Sequence, residues 1–153
     1  MKTKKLIIFT ISTFIISISS FAQLNISSND NLVTIGEHLY MKTSQIKLSK
    51  DNSTGSYIFL YKDGEYQTIQ DWKTFTINNE KSINQLYDLC TKMITEKAKE
   101  PVIINLEENN KLVVSYTKSW KGITFTIYNS AGVKSSTAPP MKQKNLDSLF
   151  GKD

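Results

Sequence analysis

The segment Ser56-Tyr57-Ile58-Phe59-Leu60-Tyr61-Lys62 constrains the fold more than any other. Its alternation sets Tyr57, Phe59 and Tyr61 on one face and Ile58 and Leu60 on the other, and a strand apolar on both faces belongs inside a sheet. It leads straight into Lys62-Asp63-Gly64-Glu65. An Asp-Gly pair between two strand-like runs suits the left-handed dihedrals of a type I′ hairpin, so a more polar return strand is expected over Glu65 to Gln70.

The same period of two recurs along the chain. Leu32-Val33-Thr34-Ile35 is a short apolar run, and after Gly36 a second extended piece is expected from His38 to Leu48. Thr74 to Ile77, Val102 to Leu106, Lys111 to Tyr116, Ile123 to Tyr128 and a polar stretch at Val133 to Thr137 also read as strands. Turns are expected at Glu107-Glu108-Asn109-Asn110, Lys118 to Gly122 and Ser130-Ala131-Gly132.

The period changes once for long. Ile83, Leu86, Tyr87, Cys90, Met93 and Ile94 follow 3.6-residue spacing, with Asn78 and Asn79 as caps and Ser82 with Gln85 as a possible capping box. This predicts a helix from Glu80 to Lys99, closed off by Pro101. Leu146, Leu149 and Phe150 predict a short terminal helix over Lys142 to Phe150, with Gly151 as its C-cap glycine. Strands joined by tight turns pair antiparallel, so the fold class is α+β: an antiparallel β-sheet built from hairpins, packed by one long central helix, with a short C-terminal helix. The two strand-then-helix halves resemble a duplicated unit, but too few residues match for a repeat.

At the N-terminus, Lys2, Lys4 and Lys5 precede an apolar run from Leu6 to Ile18, and Ser20-Phe21-Ala22 puts small residues three and one before a cut at Ala22/Gln23. This is the pattern of a cleavable signal peptide. The expected organisation is a signal peptide at 1–22, a flexible leader at 23–31 and a single α+β domain at 32–153. The product is expected in the periplasm or outside the cell, with no stable membrane insertion after cleavage.

Three lysines and no acid lie in the signal segment, so a net charge of +5 falls to +2 for the rest. All 19 cations are lysine. With no arginine to read phosphates and guanine edges bidentately, nucleic acid is not an expected partner. One histidine, His38, and one cysteine, Cys90, leave little for a metal site or a nucleophilic triad. His38 reads as a strand histidine and Cys90 as a small hydrophobe on the apolar helix face. No cofactor or metal is expected, and no catalytic residue is assigned.

Aromatic residues near turns are the remaining feature. Trp72, Trp120, Tyr61 and Tyr66 are the expected binding residues, since rings at loops can form a stacking surface for a sugar or peptide. The expected function is an exported, non-catalytic binding or protein-interaction module with a protein or glycan partner. The alternative is a small exported hydrolase acting on glycan or peptide through carboxylates at the turns, with Asp63, Glu65, Glu107 and Glu108 as its candidates.

Overall fold

A computed structural model describes residues 31–64 and 71–152. The segment expected as a signal peptide, most of the expected leader and the return strand expected at Glu65 to Gln70, with Tyr66, lie outside the described residues.

The fold is α+β, and among the described residues eight strands form two antiparallel four-stranded sheets. The first sheet holds β1 (Leu32–Tyr40), β2 (Thr43–Asp51), β3 (Tyr57–Lys62) and β4 (Trp72–Ile77), each beside the next. Helix α1 (Glu80–Glu96) follows. The second sheet repeats the order with β5 (Val102–Asn105), β6 (Lys111–Thr117), β7 (Gly122–Tyr128) and β8 (Lys134–Thr137), followed by α2 (Gln143–Phe150). Each half is therefore a four-strand meander and a helix. The helices are exchanged between the halves: α1 lies chiefly on β6 and β7, and α2 chiefly on β1. They meet where the Tyr87 hydroxyl donates to Asp147 at 2.8 Å and Gln143 Nε2 to Thr91 at 3.1 Å.

One hydrophobic cluster draws on both helices and on every strand but β8. Ile46, Leu48, Phe59 and Tyr61 come from the first sheet, Leu112, Val114, Ile123 and Phe125 from the second, Leu86 and Cys90 from α1, Leu146 and Leu149 from α2. β3 is interior to its sheet, as its two-faced pattern requires, and its Tyr57, Phe59 and Tyr61 face is buried.

Local corrections follow from tertiary demands. The chain does not break at Gly36. β1 runs through it with a register shift between Thr34 and Gly36, and the turn falls at Met41-Lys42, both left-handed, with φ of 49° and 65°. Glycine is needed at position 36 because α2 ends against it: a Cβ there would lie 2.0 Å from the Ser148 carbonyl oxygen. Asp63-Gly64 is not a type I′ turn, since neither residue has positive φ and β3 pairs with Trp72–Ile77, Lys62 opposite Trp72. The Gly64 amide instead donates to the Thr137 carbonyl of β8 at 2.8 Å, and the Asp63 carboxylate accepts from the Thr137 amide at 3.3 Å. The type I′ geometry appears at Glu108-Asn109, with φ of 56° and 59° and the Asn110 amide donating to Glu107.

α1 begins where Asn79 accepts from the Ser82 amide at 2.8 Å and ends three residues earlier than expected, at left-handed Lys97. Gly151, with φ of 62°, closes α2. Leu86 is buried on the inner face of α1, whereas Trp120 is 59% exposed. Leu86→Ala therefore costs about 2–5 kcal/mol in urea melts, and Trp120→Ala less than about 1 kcal/mol. The reverse order would place the core elsewhere.

Candidate functional site

A cleft of about 540 Å³ opens at one end of the molecule among His38, Tyr40, Gln45, Lys62, Trp120 and the Pro139-Pro140 pair, with Asp63 and Gly64 also in its lining. Its walls come from both sheets. The Met41-Lys42 turn brings Tyr40 opposite Thr43 at the tip of the β1–β2 hairpin, and His38 sits two residues back, opposite Ile46. On the other side, the β6–β7 turn Lys118–Lys121 carries Trp120, closed by the Lys121 amide on the Lys118 carbonyl. β7 then runs so close to the segment after the prolines that a Cβ on Gly122 would lie 2.4 Å from the Met141 carbonyl oxygen. Paired hydrogen bonds of 2.8 Å between Ile123 and Met141 fix the approach. Trp120 and Pro139-Pro140 are thereby held side by side.

The seam between the sheets forms the base. Beside the Asp63 and Gly64 links to Thr137, the Tyr61 hydroxyl and Ser136 hydroxyl meet at 2.5 Å in the buried interior. Burial raises the Tyr61 phenol above its ordinary pKa, so it stays protonated and available to donate. Burial also lowers His38 below the usual 6.5. The imidazole is therefore neutral at pH 7, with one nitrogen able to donate and the other to accept.

Of the four expected binding residues, the structure brings one into the cleft, Trp120. Trp72 opens β4 opposite Lys62 and is 38% exposed, outside the cleft lining. Tyr61 is 1% exposed. It belongs to the core because β3 is an inner strand, and it presents no ring face to a ligand. Tyr66 lies outside the described residues. Tyr40, Gln45 and the prolines were not singled out by the sequence. A turn signal at Met41-Lys42 would have placed Tyr40 at a hairpin tip, but Met and Lys carry none.

The acids divide. Asp63 follows Lys62 at the start of β4, while Glu107 accepts from Asn78 Nδ2 at 3.0 Å just beyond the end of β4. A six-residue strand separates them, roughly 20 Å. Glu65 lies outside the described residues. Glu107 and Glu108 line smaller grooves beside Thr76 and Leu106, which share no lining residue with the aromatic cleft. Cys90 is fully buried and its thiol is pushed up to about 12, which removes thiolate reactivity near neutrality. Among the described residues, no three His, Cys, Asp or Glu side chains gather as a metal ion would need, and no helix is long and apolar enough to cross a membrane.

The neutral state of His38 gives a pH prediction. Its folded pKa lies below the unfolded 6.5, so the unfolded chain binds the proton more readily. The His38 contribution is complete above pH 6.5 and is lost as pH falls from there through the lowered folded value. Thermal melts at pH 7.5 and 5 should show a larger drop for the unsubstituted chain than for His38→Gln; equal drops would mean that His38 protonates freely in the fold.

No family model, curated protein or solved structure matches the chain.

Proposed function

We propose that the chain is an exported, non-catalytic binding module that takes a protein or glycan partner into the cleft between the β1–β2 hairpin and the Trp120 turn. The observation that carries this reading is the cleft's composition. Two exposed rings, Tyr40 and Trp120, stand over an apolar wall of prolines, with Gln45, Lys62 and neutral His38 as a few polar groups among them. Ligand sites are built in this way, mostly apolar with a few placed polar groups to fix orientation. The rings are held by the backbone of their own hairpin turns rather than by their own burial, so they can be given to a ligand without loss of core.

The signal segment at 1–22 supports export and cleavage at Ala22/Gln23. The carboxylate-hydrolase alternative gains nothing from Asp63 and Glu107, which lie at opposite ends of β4.

The test is capture from the envelope and culture fluid of the producing cell, with the chain and its Trp120→Ala variant as baits. A partner retained by the former and weakened about tenfold or more by the variant, at unchanged melting temperature, is the expected result. Retention of the same protein or glycan by both baits would move binding away from the cleft, and capture of nothing specific would remove the reading. The intact mass of the exported chain should begin at Gln23.

A further inference from the structure

The rim of the cleft carries a second feature. Leu39, Tyr40 and Met41 are all exposed at the tip of the β1–β2 hairpin, Met41 to 82%. Trp120 shares the cleft with Tyr40, so the β6–β7 turn stands at the same end of the molecule. Exposed lysines flank both tips: Lys42 follows Met41, and Lys118 and Lys121 bracket Trp120. No Asp or Glu occurs in residues 39–45 or 117–122.

We infer that this end of the protein docks reversibly on an anionic lipid surface, with Leu39, Met41 and Trp120 entering the headgroup boundary and Lys42, Lys118 and Lys121 lying against the headgroups. Indole and phenol rings settle at the interface between headgroups and acyl chains, and short apolar insertions there add affinity in proportion to buried area. Lysines beside them reach the phosphates while their methylene stems cover apolar surface. The charge complement is one-sided, since both tips offer cations and neither offers an acid.

The shape favours a bilayer over a protein partner at these residues. The apolar side chains sit on two narrow turns with an open cleft between them, whereas a stable protein interface needs roughly 800 Å² of closely packed surface on each side. A bilayer accommodates separated tips. Met41 also occupies a left-handed turn position, with φ of 49°, where Asn or Gly is the residue that hairpin geometry favours. Folding gives no reason to keep a long apolar side chain there and expose it. Leu39 and Met41 do not line the cleft, so their insertion does not depend on what fills it, whereas Trp120 is shared by both surfaces.

The experiment is co-sedimentation of the exported, purified chain with vesicles of phosphatidylcholine containing one-third phosphatidylglycerol, and with phosphatidylcholine alone. The expected result is binding to the anionic vesicles that weakens with salt and falls about fivefold for each of Lys42, Lys118 and Lys121 changed to Gln. Leu39→Ser with Met41→Ser should reduce it about tenfold or more at unchanged melting temperature. Should that pair fail to fold, the exposed lysine variants carry the test. In a Trp72→Phe background, Trp120 emission should shift to the blue on the anionic vesicles. Failure to bind anionic vesicles, equal binding to both kinds, or binding unmoved by the lysine changes would overturn the inference, as would capture of a protein through the same tips without any vesicle binding.

Discussion

Phe59→Ala should lower the unfolding free energy by about 3–5 kcal/mol, measured by urea melts followed in the far and near ultraviolet. Its side chain joins three other parts of the fold. Its ring stacks on Phe75 of β4 with centroids 4.4 Å apart, meets Phe125 of β7 edge-on at 6.0 Å, and touches Phe150 of α2 at 5.8 Å. It is fully buried. Truncation opens a cavity where both sheets and the second helix converge, and each wall belongs to a different element, so none can close it alone. For a domain with about 5–15 kcal/mol to lose, the variant is at the edge of folding. A loss below about 1.5 kcal/mol would show that the three partners collapse onto one another, as volume-conserving repacking permits.

Gly36→Ala should cost at least about 3 kcal/mol, since the added methyl would lie 2.0 Å from the Ser148 carbonyl oxygen and 2.6 Å from that of Leu149. Both are backbone atoms of α2, which cannot rotate away as a side chain would. The helix must lift from β1 or the strand must bend. Gly132→Ala is the matched control. Its methyl meets nothing within 4 Å, and its penalty is confined to the left-handed φ of 75°, about 1 kcal/mol. Melts of the two variants separate steric from conformational cost; similar losses would mean that the Gly36 contact yields easily.

The elements of this fold were legible wherever local chemistry and tertiary use agree. The two-faced Tyr57 to Lys62 strand, the apolar helix stripe around Leu86 and Cys90, and the Gly151 cap are read directly from spacing. Misreadings fall where a residue serves a distant neighbour. Gly36 looks like a turn glycine because nothing nearby reveals that α2 will need its missing side chain. Asp63-Gly64 carries the strongest hairpin signature in the chain, yet its amide and carboxylate are taken by Thr137, 73 residues beyond Gly64. The real two-residue turns, Met41-Lys42 and Glu108-Asn109, use residues that pay no attention to turn preference, apart from Asn109. The candidate site was legible only in Trp120. A cleft between two sheets depends on how the halves meet, and periodicity within each half does not encode that meeting. Tyr61 shows the same limit in reverse, since proximity to a turn suggested exposure while its place on an inner strand dictated burial.

The exchange of helices has a consequence for the order of events during synthesis. Until β6, β7 and α2 have left the ribosome, the first sheet lacks the helix that covers β1, and α1 lacks the sheet on which it rests. Neither half has a complete apolar partner within itself, so no early, self-sufficient unit can lock into place. Contacts spanning most of the sequence must form together, which slows folding. Such a chain remains threadable while it grows, the condition under which a polypeptide can be passed through a narrow translocation channel and acquire its structure on the far side.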